Sequence, residues 1–440
     1  MVLPLNPFYR IQPLITLTVF AVLCLLACTP HGSSPVGREP QPEIGWTHEF
    51  GSPGDDGASS VVVDDDQNVI VGGWTTASLG DSVNAGEHDG FVRKVGPDGT
   101  VAWTAMFGSA GEDAVEGLAV DRQRSIYVAG RVTNTLPFQA EVGKGDAFAV
   151  VLSPDGEEQW IRQFGTSELD WGESVAVDSE GNVFISGSTA GAFSVETRAS
   201  LADNYIREFD LDGFEVWTDQ IGSDEGNGVT TVVVHKDDNV YVIGSTLGPL
   251  PDTTHIGSGD VFVRKYDSTG IKLWTYEYGA NDGDAAINAT IDHQGNLLVV
   301  GSTRGVWEAQ ARFGGYLDAF LLRINPDGEL VLTLQFGTYG SDMASGIVVD
   351  NEGNIYIAGR TEDVFRGQRN LGGFDAFVAK FDSAGTALWT RQFGSAADDF
   401  AFDVAVDAFQ NVYIAGAGHL SSAQRESPAN AWVVQFIQKR

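Results

Sequence analysis

One unit is written seven times along this chain. Trp46, Trp103, Trp160, Trp217 and Trp274 follow one another at 57-residue intervals, Leu332 takes the next place after 58, and Trp389 comes 57 later. Around each of them runs W-T-x-x-F-G-[ST], then an Asp, V-A-V-D, a short turn, N-V-Y-I-A-G, a long loop and D-A-F-V-x-K-F. Val404 to Gly416 (VAVDAFQNVYIAG) repeats Val175 to Gly187 (VAVDSEGNVFISG), and Asp375 to Phe381 (DAFVAKF) echoes Asp260 to Tyr266 (DVFVRKY). A period of this length marks a repeat architecture, in which each unit buries its apolar face against its neighbours.

Every unit reads as four short strands with alternating apolar residues and β-branched or aromatic content. In the third copy they are expected at about 160–165, 174–178, 182–187 and 204–209. The segments Asp178 to Asn182 and Asp210 to Gly213 put Gly and Asp/Asn where a hairpin needs a positive φ or a side chain bonded to its own backbone. Seven such units in tandem predict an all-β fold, a seven-bladed β-propeller of four-stranded blades over residues 45–440. The last unit ends at Trp432-Val-Val-Gln-Phe436 with no W-T-x-x-F strand after it, while the chain begins with a spare one at 46–51. Pairing of the two closes the ring and removes edges that invite aggregation.

The repeat resembles the SBBP family of bacterial β-propeller repeats, V-A-V-D-x-x-G-N-V-Y-[IV]-x-G-[ST]-T followed by G-x-D-A-F-V-x-K. The likeness covers essentially 46–436, with the best copies at 175–209, 232–266 and 347–381. Departures are Arg122-Gln-Arg-Ser125 in one turn, Leu332 for Trp and Asn430 for Asp. The resemblance implies a cell-envelope propeller and no defined activity.

The N-terminus reads as an address. Residues 1–10 carry a single charge, Arg10, and an apolar run from Ile11 ends in Leu25-Leu26-Ala27-Cys28. A short apolar stretch with small residues at its end is an export signal. Leu-Leu-Ala-Cys resembles the bacterial lipobox, which implies a lipoprotein signal peptide at 1–27 and a lipidated Cys28 that anchors the mature chain in the membrane. Thr29 in place of Asp points to the outer membrane, with its periplasmic and cell-surface faces both open. Residues 28–44, rich in Pro, Gly and Ser, form a tether, and the sixteen residues 29–44 span at most about 55 Å.

Composition narrows the partners. With 60 Asp+Glu against 26 Lys+Arg the net charge is -34, which excludes nucleic acid as a partner because no basic surface neutralises phosphates. The only cysteines are Cys24 and Cys28, so the folded part has no thiolate chemistry and no cysteine-held metal. The seven histidines show neither metal spacing nor the repeat period, and no H-E-x-x-H, G-x-S-x-G or Walker motif occurs. No catalytic residue, metal site or cofactor is therefore assigned.

Topology puts the F-G-[ST]-x-x-x-D links and the long loops on one face. Asp56, Asp113, Asp170, Asp284, Asp342 and Asp399, with Asn227 as substitute, enter the inner strands there. Asp89, Asp146, Asp203, Asp260, Asp318 and Asp375, with Asn430, start the third strands. One reading is a carboxylate ring that holds Ca²⁺. The preferred one is that each Asp accepts backbone N–H groups in its turn, since recurrence in nearly every blade suits architecture better than a single site.

The long loops of blades five to seven are less regular. They bring Arg304, Trp307, Arg312 and Phe313, then Arg360, Phe365, Arg366 and Arg369, then Arg425. Arginine with aromatic neighbours is common interface chemistry, and guanidinium groups grip carboxylates bidentately. These residues are a candidate patch for a protein or an acidic glycan; the alternative is local pairing with Glu308, Glu362, Asp363 and Glu426. The function expected from the sequence is a non-enzymatic, lipid-anchored binding or assembly module of the cell envelope. The alternative is a propeller hydrolase or lyase acting on envelope or extracellular polysaccharide.

Overall fold

A computed structural model of the chain describes residues 39–51, 54–140, 142–194, 202–420 and 429–438. The signal segment with Cys28, and Arg425, lie outside the described residues. Among the described residues there are 28 strands, β1 to β28 in chain order, and no helix. They form seven four-stranded antiparallel sheets.

Blade 1 consists of β2 (Gly57–Val63), β3 (Val69–Thr75), β4 (Asp89–Val95) and β5 (Val101–Phe107), from the ring axis outward. Blades 2 to 6 repeat this order, starting at Asp113, Asp170, Asn227, Asp284 and Asp342. Blade 7 takes β26 (Phe400–Val406), β27 (Val412–Gly418) and β28 (Asn430–Ile437), and its outermost strand is β1 (Glu43–Phe50). Trp46 stands opposite Gln435 and Phe50 opposite Ala431. The ring is closed by the N-terminal strand, as the sequence predicts, and that strand begins three residues before Trp46.

The inner strand of blade 3, β10 (Asp170–Val177), starts at Asp170 and not at 174. A bulge between Gly172 and Ser174 absorbs one residue, so the pairing continues past the point where simple alternation breaks. The third strands are buried on both faces; all seven residues of β16 (Asp260–Tyr266) are inside. This explains why D-[AV]-F-V-x-K-[FY] is apolar in both directions. Its lysine threads out to a polar end: Lys94 reaches Asp64 at 2.9 Å and the Pro154 carbonyl of the next blade at 3.1 Å. The core lies between blades, where Leu298, Val300 and Leu321 of blade 5 pack with Ile357, Phe377 and Phe381 of blade 6.

The last junction differs. In β25 (Ala387–Phe393) of blade 6, Trp389 is 0% exposed and Leu388 is buried, whereas Val331 at the matching place in blade 5 is 53% exposed. Strands three and four of blade 7 come from opposite chain ends, so no hairpin turn covers Trp389. The segment ahead of β1 takes that place: the Glu39 N–H donates to the Leu388 carbonyl at 3.4 Å, and its carboxylate pairs with Lys380 at 2.9 Å. Residues 39–42 of the expected tether are thus docked on the ring, and Glu43 and Ile44 belong to β1.

Candidate functional site at the channel mouth

The acidic residues of the long-loop face are bound up in their turns. Asp170 accepts the Thr166 N–H at 2.6 Å and its hydroxyl at 2.9 Å; Asp342 accepts the Thr338 N–H at 2.6 Å. Asp399 takes the N–H groups of Ser395 and His419 at 2.6 and 2.7 Å, Asp284 that of Ala280 at 2.6 Å, and Asp113 that of Thr133 at 2.9 Å. Asp56 takes that of Thr76 at 3.0 Å. All six carboxylates are buried, each joining the link before its strand or the loop after the next one. Burial pushes Asp284 and Asp342 up to about 7 and Asp399 to about 6, and the neighbouring Asp260, Asp318 and Asp375 add to the rise.

The arginine-rich loops resolve into two kinds of residue. Trp307 is 3% exposed and Phe365 is 2% exposed; they pack on Phe320 and Phe377 with ring centroids 5.7 and 5.1 Å apart. They belong to a series of buried loop residues, Leu79, Leu136, Leu250, Trp307 and Phe365, that follows the repeat period. A buried ring is core, not an anchor offered to a partner. That spacing was visible in the sequence. Arg304 lies over Tyr316 at 4.7 Å, Arg312 donates to the Gly315 carbonyl at 3.1 Å, Phe313 is half-buried, and Arg366 and Arg369 are exposed. Among the described residues none of these arginines forms an ion pair within 4.0 Å with Glu308, Glu362 or Asp363.

Arg360 points elsewhere. It ends the second strand of blade 6, β23 (Ile355–Thr361), and lines a cavity of about 850 Å³ on the ring axis. The position just before the final residue of the second strand reaches this channel in blades 1, 2 and 6. In blades 1 to 7 it holds Trp74, Arg131, Ser188, Ser245, Ser302, Arg360 and Ala417. The first turn of the inner strands adds Glu116, Trp171, Glu173, Met343 and Phe402. Large aromatic and charged side chains occupy blades 6, 7, 1, 2 and 3, while blades 4 and 5 line the cavity with Thr231, Val232, Val233, Ile287, Asn288 and Thr290. The large side chains form a crescent at the mouth.

Contacts hold the crescent in place. Phe374, Phe400, Phe402 and Trp74 run in series with centroids 6.0, 6.3 and 6.1 Å apart. The Arg360 guanidinium sits 4.9 Å from the Phe400 ring and 5.4 Å from Phe374, with no ion pair within 4.0 Å among the described residues. Across the mouth, Arg131 pairs with Glu116 at 3.0 Å and lies 5.9 Å from the ring of Trp171, which is 41% exposed. Glu173 accepts the Ser188 hydroxyl at 2.6 Å. Burial in the narrow channel pushes the Glu116 carboxyl up to about 7, Arg131 working against the rise and Glu173 adding to it. Aromatic faces, a free guanidinium and carboxyl groups together suit a flat, polar ligand that stacks and hydrogen-bonds.

Ring closure, blade number and channel define a seven-bladed β-propeller. The SBBP model, a beta-propeller repeat, matches it at residues 159–193, 333–366 and 388–418. The chain is 27% identical over 204 residues to the regulatory protein FlaEY of Caulobacter vibrioides, covering 42% of this chain and 21% of that protein. It is 21% identical over 511 residues to the uncharacterized WD repeat-containing protein L264 of Acanthamoeba polyphaga mimivirus, covering 87% of this chain and 37% of that one. The matches thus take in well under half of either relative's length. Among solved structures, the WD40 domain of Neurospora crassa Pan2 superposes with a TM-score of 0.52 over 93% of this chain and 98% of that one. At 9% identity this is a likeness of fold alone.

Proposed function

We propose that the protein is a non-enzymatic, lipid-anchored binding module of the cell envelope that takes an acidic glycan into the channel mouth. One observation carries the reading: the position before the last residue of the second strands breaks the repeat, with Trp74, Arg131 and Arg360 lining the channel where three other blades keep serine. Sugar rings stack on aromatic faces, and the guanidinium of Arg360, stacked on Phe400 and unpaired, meets a uronate carboxylate. The net charge of -34 opposes an acidic ligand, but at physiological salt charges act over about 8 Å, so the groups at the mouth dominate. Lipid on Cys28 anchors the propeller to the outer membrane.

The test is calorimetric titration of the detergent-solubilised chain with a uronic-acid oligosaccharide and with its neutral counterpart. Saturable binding of the acidic sugar that Trp171→Ala weakens supports the proposal; no binding of either sugar refutes it. Cys28→Ser, followed by radiolabelled palmitate incorporation, tests the anchor.

A second reading, cleavage of the polysaccharide, is favoured by Glu116. A carboxyl pushed to about 7 beside a second glutamate has the properties of a general acid or base. Release of shorter chains that Glu116→Gln abolishes would establish it.

A further inference from the structure

Blade 4 departs from five of its sisters at one buried junction of the long-loop face; blade 1, the sixth, has Met106 in the partner's place. In blades 2, 3, 5 and 6 the Asp that opens the third strand faces a glutamine near the end of the fourth. Gln163, Gln220, Gln335 and Gln392 donate through Nε2 to Asp146, Asp203, Asp318 and Asp375 at 2.7–2.8 Å. Blade 7 exchanges the roles and stays complementary, Asn430 donating to Glu49 at 3.0 Å. Blade 4 sets carboxylate beside carboxylate: Asp260 in β16 and Glu277 in β17 (Lys272–Tyr278).

Glu277 keeps the acceptor half of the glutamine's role. Its Oε1 takes the Leu250 N–H at 2.7 Å and the Thr253 hydroxyl. Its Oε2 stands where the sister blades carry a donor. His255, from the loop of the same blade, brings Nδ1 to 2.8 Å from Glu277 Oε2 and 3.2 Å from Asp260 Oδ2. Donor atoms of the three residues all lie within 4.8 Å of one another. Both carboxyl side chains are fully buried, while the imidazole is 15% exposed and leaves a way in from solvent. Asp260 Oδ1 and His255 Nε2, both buried, have no hydrogen-bond partner.

Two adjacent buried carboxylates repel and lose hydration, and only a proton or a cation offsets that. We propose that His255, Asp260 and Glu277 form a site for a first-row divalent metal ion of the Zn²⁺ class, which clamps the blade 4 loop to its third and fourth strands. One imidazole nitrogen with two carboxylate oxygens suits Zn²⁺, whereas Ca²⁺ takes six or more oxygens. Metal–ligand bonds of about 2.0–2.2 Å in a tetrahedron separate ligand atoms by roughly 3.4 Å, so the side chains move apart by a fraction of an ångström. Without the ion, burial pushes the Asp260 carboxyl up to about 6, and Glu277 adds to the rise.

Calorimetric titration of the chelator-stripped full chain with ZnCl₂ at neutral pH, beside Glu277→Gln and His255→Ala, tests the site. Glu277→Gln rebuilds the pairing of four sister blades, so it keeps the fold whatever His255→Ala does. One Zn²⁺ per wild-type chain is expected, weakened roughly tenfold or more in both variants, with a melting temperature that Zn²⁺ raises and EDTA returns. Equal uptake by the wild type and Glu277→Gln would overturn the proposal. So would an absence of binding to the wild type.

Discussion

The indole N–H of Trp103, at the outer edge of blade 1, donates to the Pro154 carbonyl of blade 2 at 3.3 Å, and the ring lies against Gly156 of the same turn. Trp46 makes the same bond to Pro97 at 3.4 Å and Trp160 to Leu211 at 3.0 Å. These three tryptophans of the period are therefore latches between blades, whereas Trp217 donates to Glu208 of its own blade. Gly156 has φ +86°, and a Cβ there would meet the ring at 2.8 Å. Gly156→Ala should cost about 2 kcal/mol in urea unfolding from strain and displacement of the indole. Trp103→Ala, which removes a half-buried ring, should cost about 2–3 kcal/mol.

Deleting residues 1–50 removes β1 and leaves β28 as an open edge. The expected result is loss of a single cooperative melting transition and association into higher oligomers by size-exclusion chromatography. A shortened chain that stays monomeric and melts like the parent would show that ring closure contributes little.

The buried carboxyls set an unusual pH dependence. Asp342 and Asp284 are held at about 7 in the folded chain, against roughly 3.9 when unfolded. The unfolded chain loses these protons first, so the folded state is favoured at low pH and loses that advantage as pH rises from about 4 through 7. Melting temperature should fall between about pH 4 and 7, and Asp342→Asn should flatten part of the slope.

On the opposite face, Asp350 accepts the N–H groups of Glu352 and Asn354 at 2.9 and 2.8 Å, the Asn354 amide at 2.8 Å and the Tyr356 hydroxyl at 3.0 Å. Asp350→Ala strands several buried donors at once. A loss of about 2–4 kcal/mol by denaturant unfolding is expected.

The channel mouth should separate charge from shape. Arg360→Ala should weaken an acidic oligosaccharide roughly tenfold or more and leave a neutral one unchanged, because the guanidinium contributes a charge-assisted bond. Trp171→Ala should weaken both, since stacking ignores charge. Trp171 is half in solvent, so its replacement should move stability by only about 0.5 kcal/mol, which thermal melting checks.

The sequence by itself determined the blade number, the four strands of each blade and the strand that closes the ring. Those depend on a period and on alternation, which are local properties repeated until they become unmistakable. Tertiary structure decided the site. Trp74, Arg131, Trp171, Arg360 and Phe402 come from five blades across more than 300 residues of sequence, and no local motif joins them. They meet because the ring brings corresponding positions to one axis. The same geometry drew Trp307 and Phe365 out of an apparent surface patch: what a loop residue does depends on whether it points outward or down onto the next blade, and pattern alone does not show which.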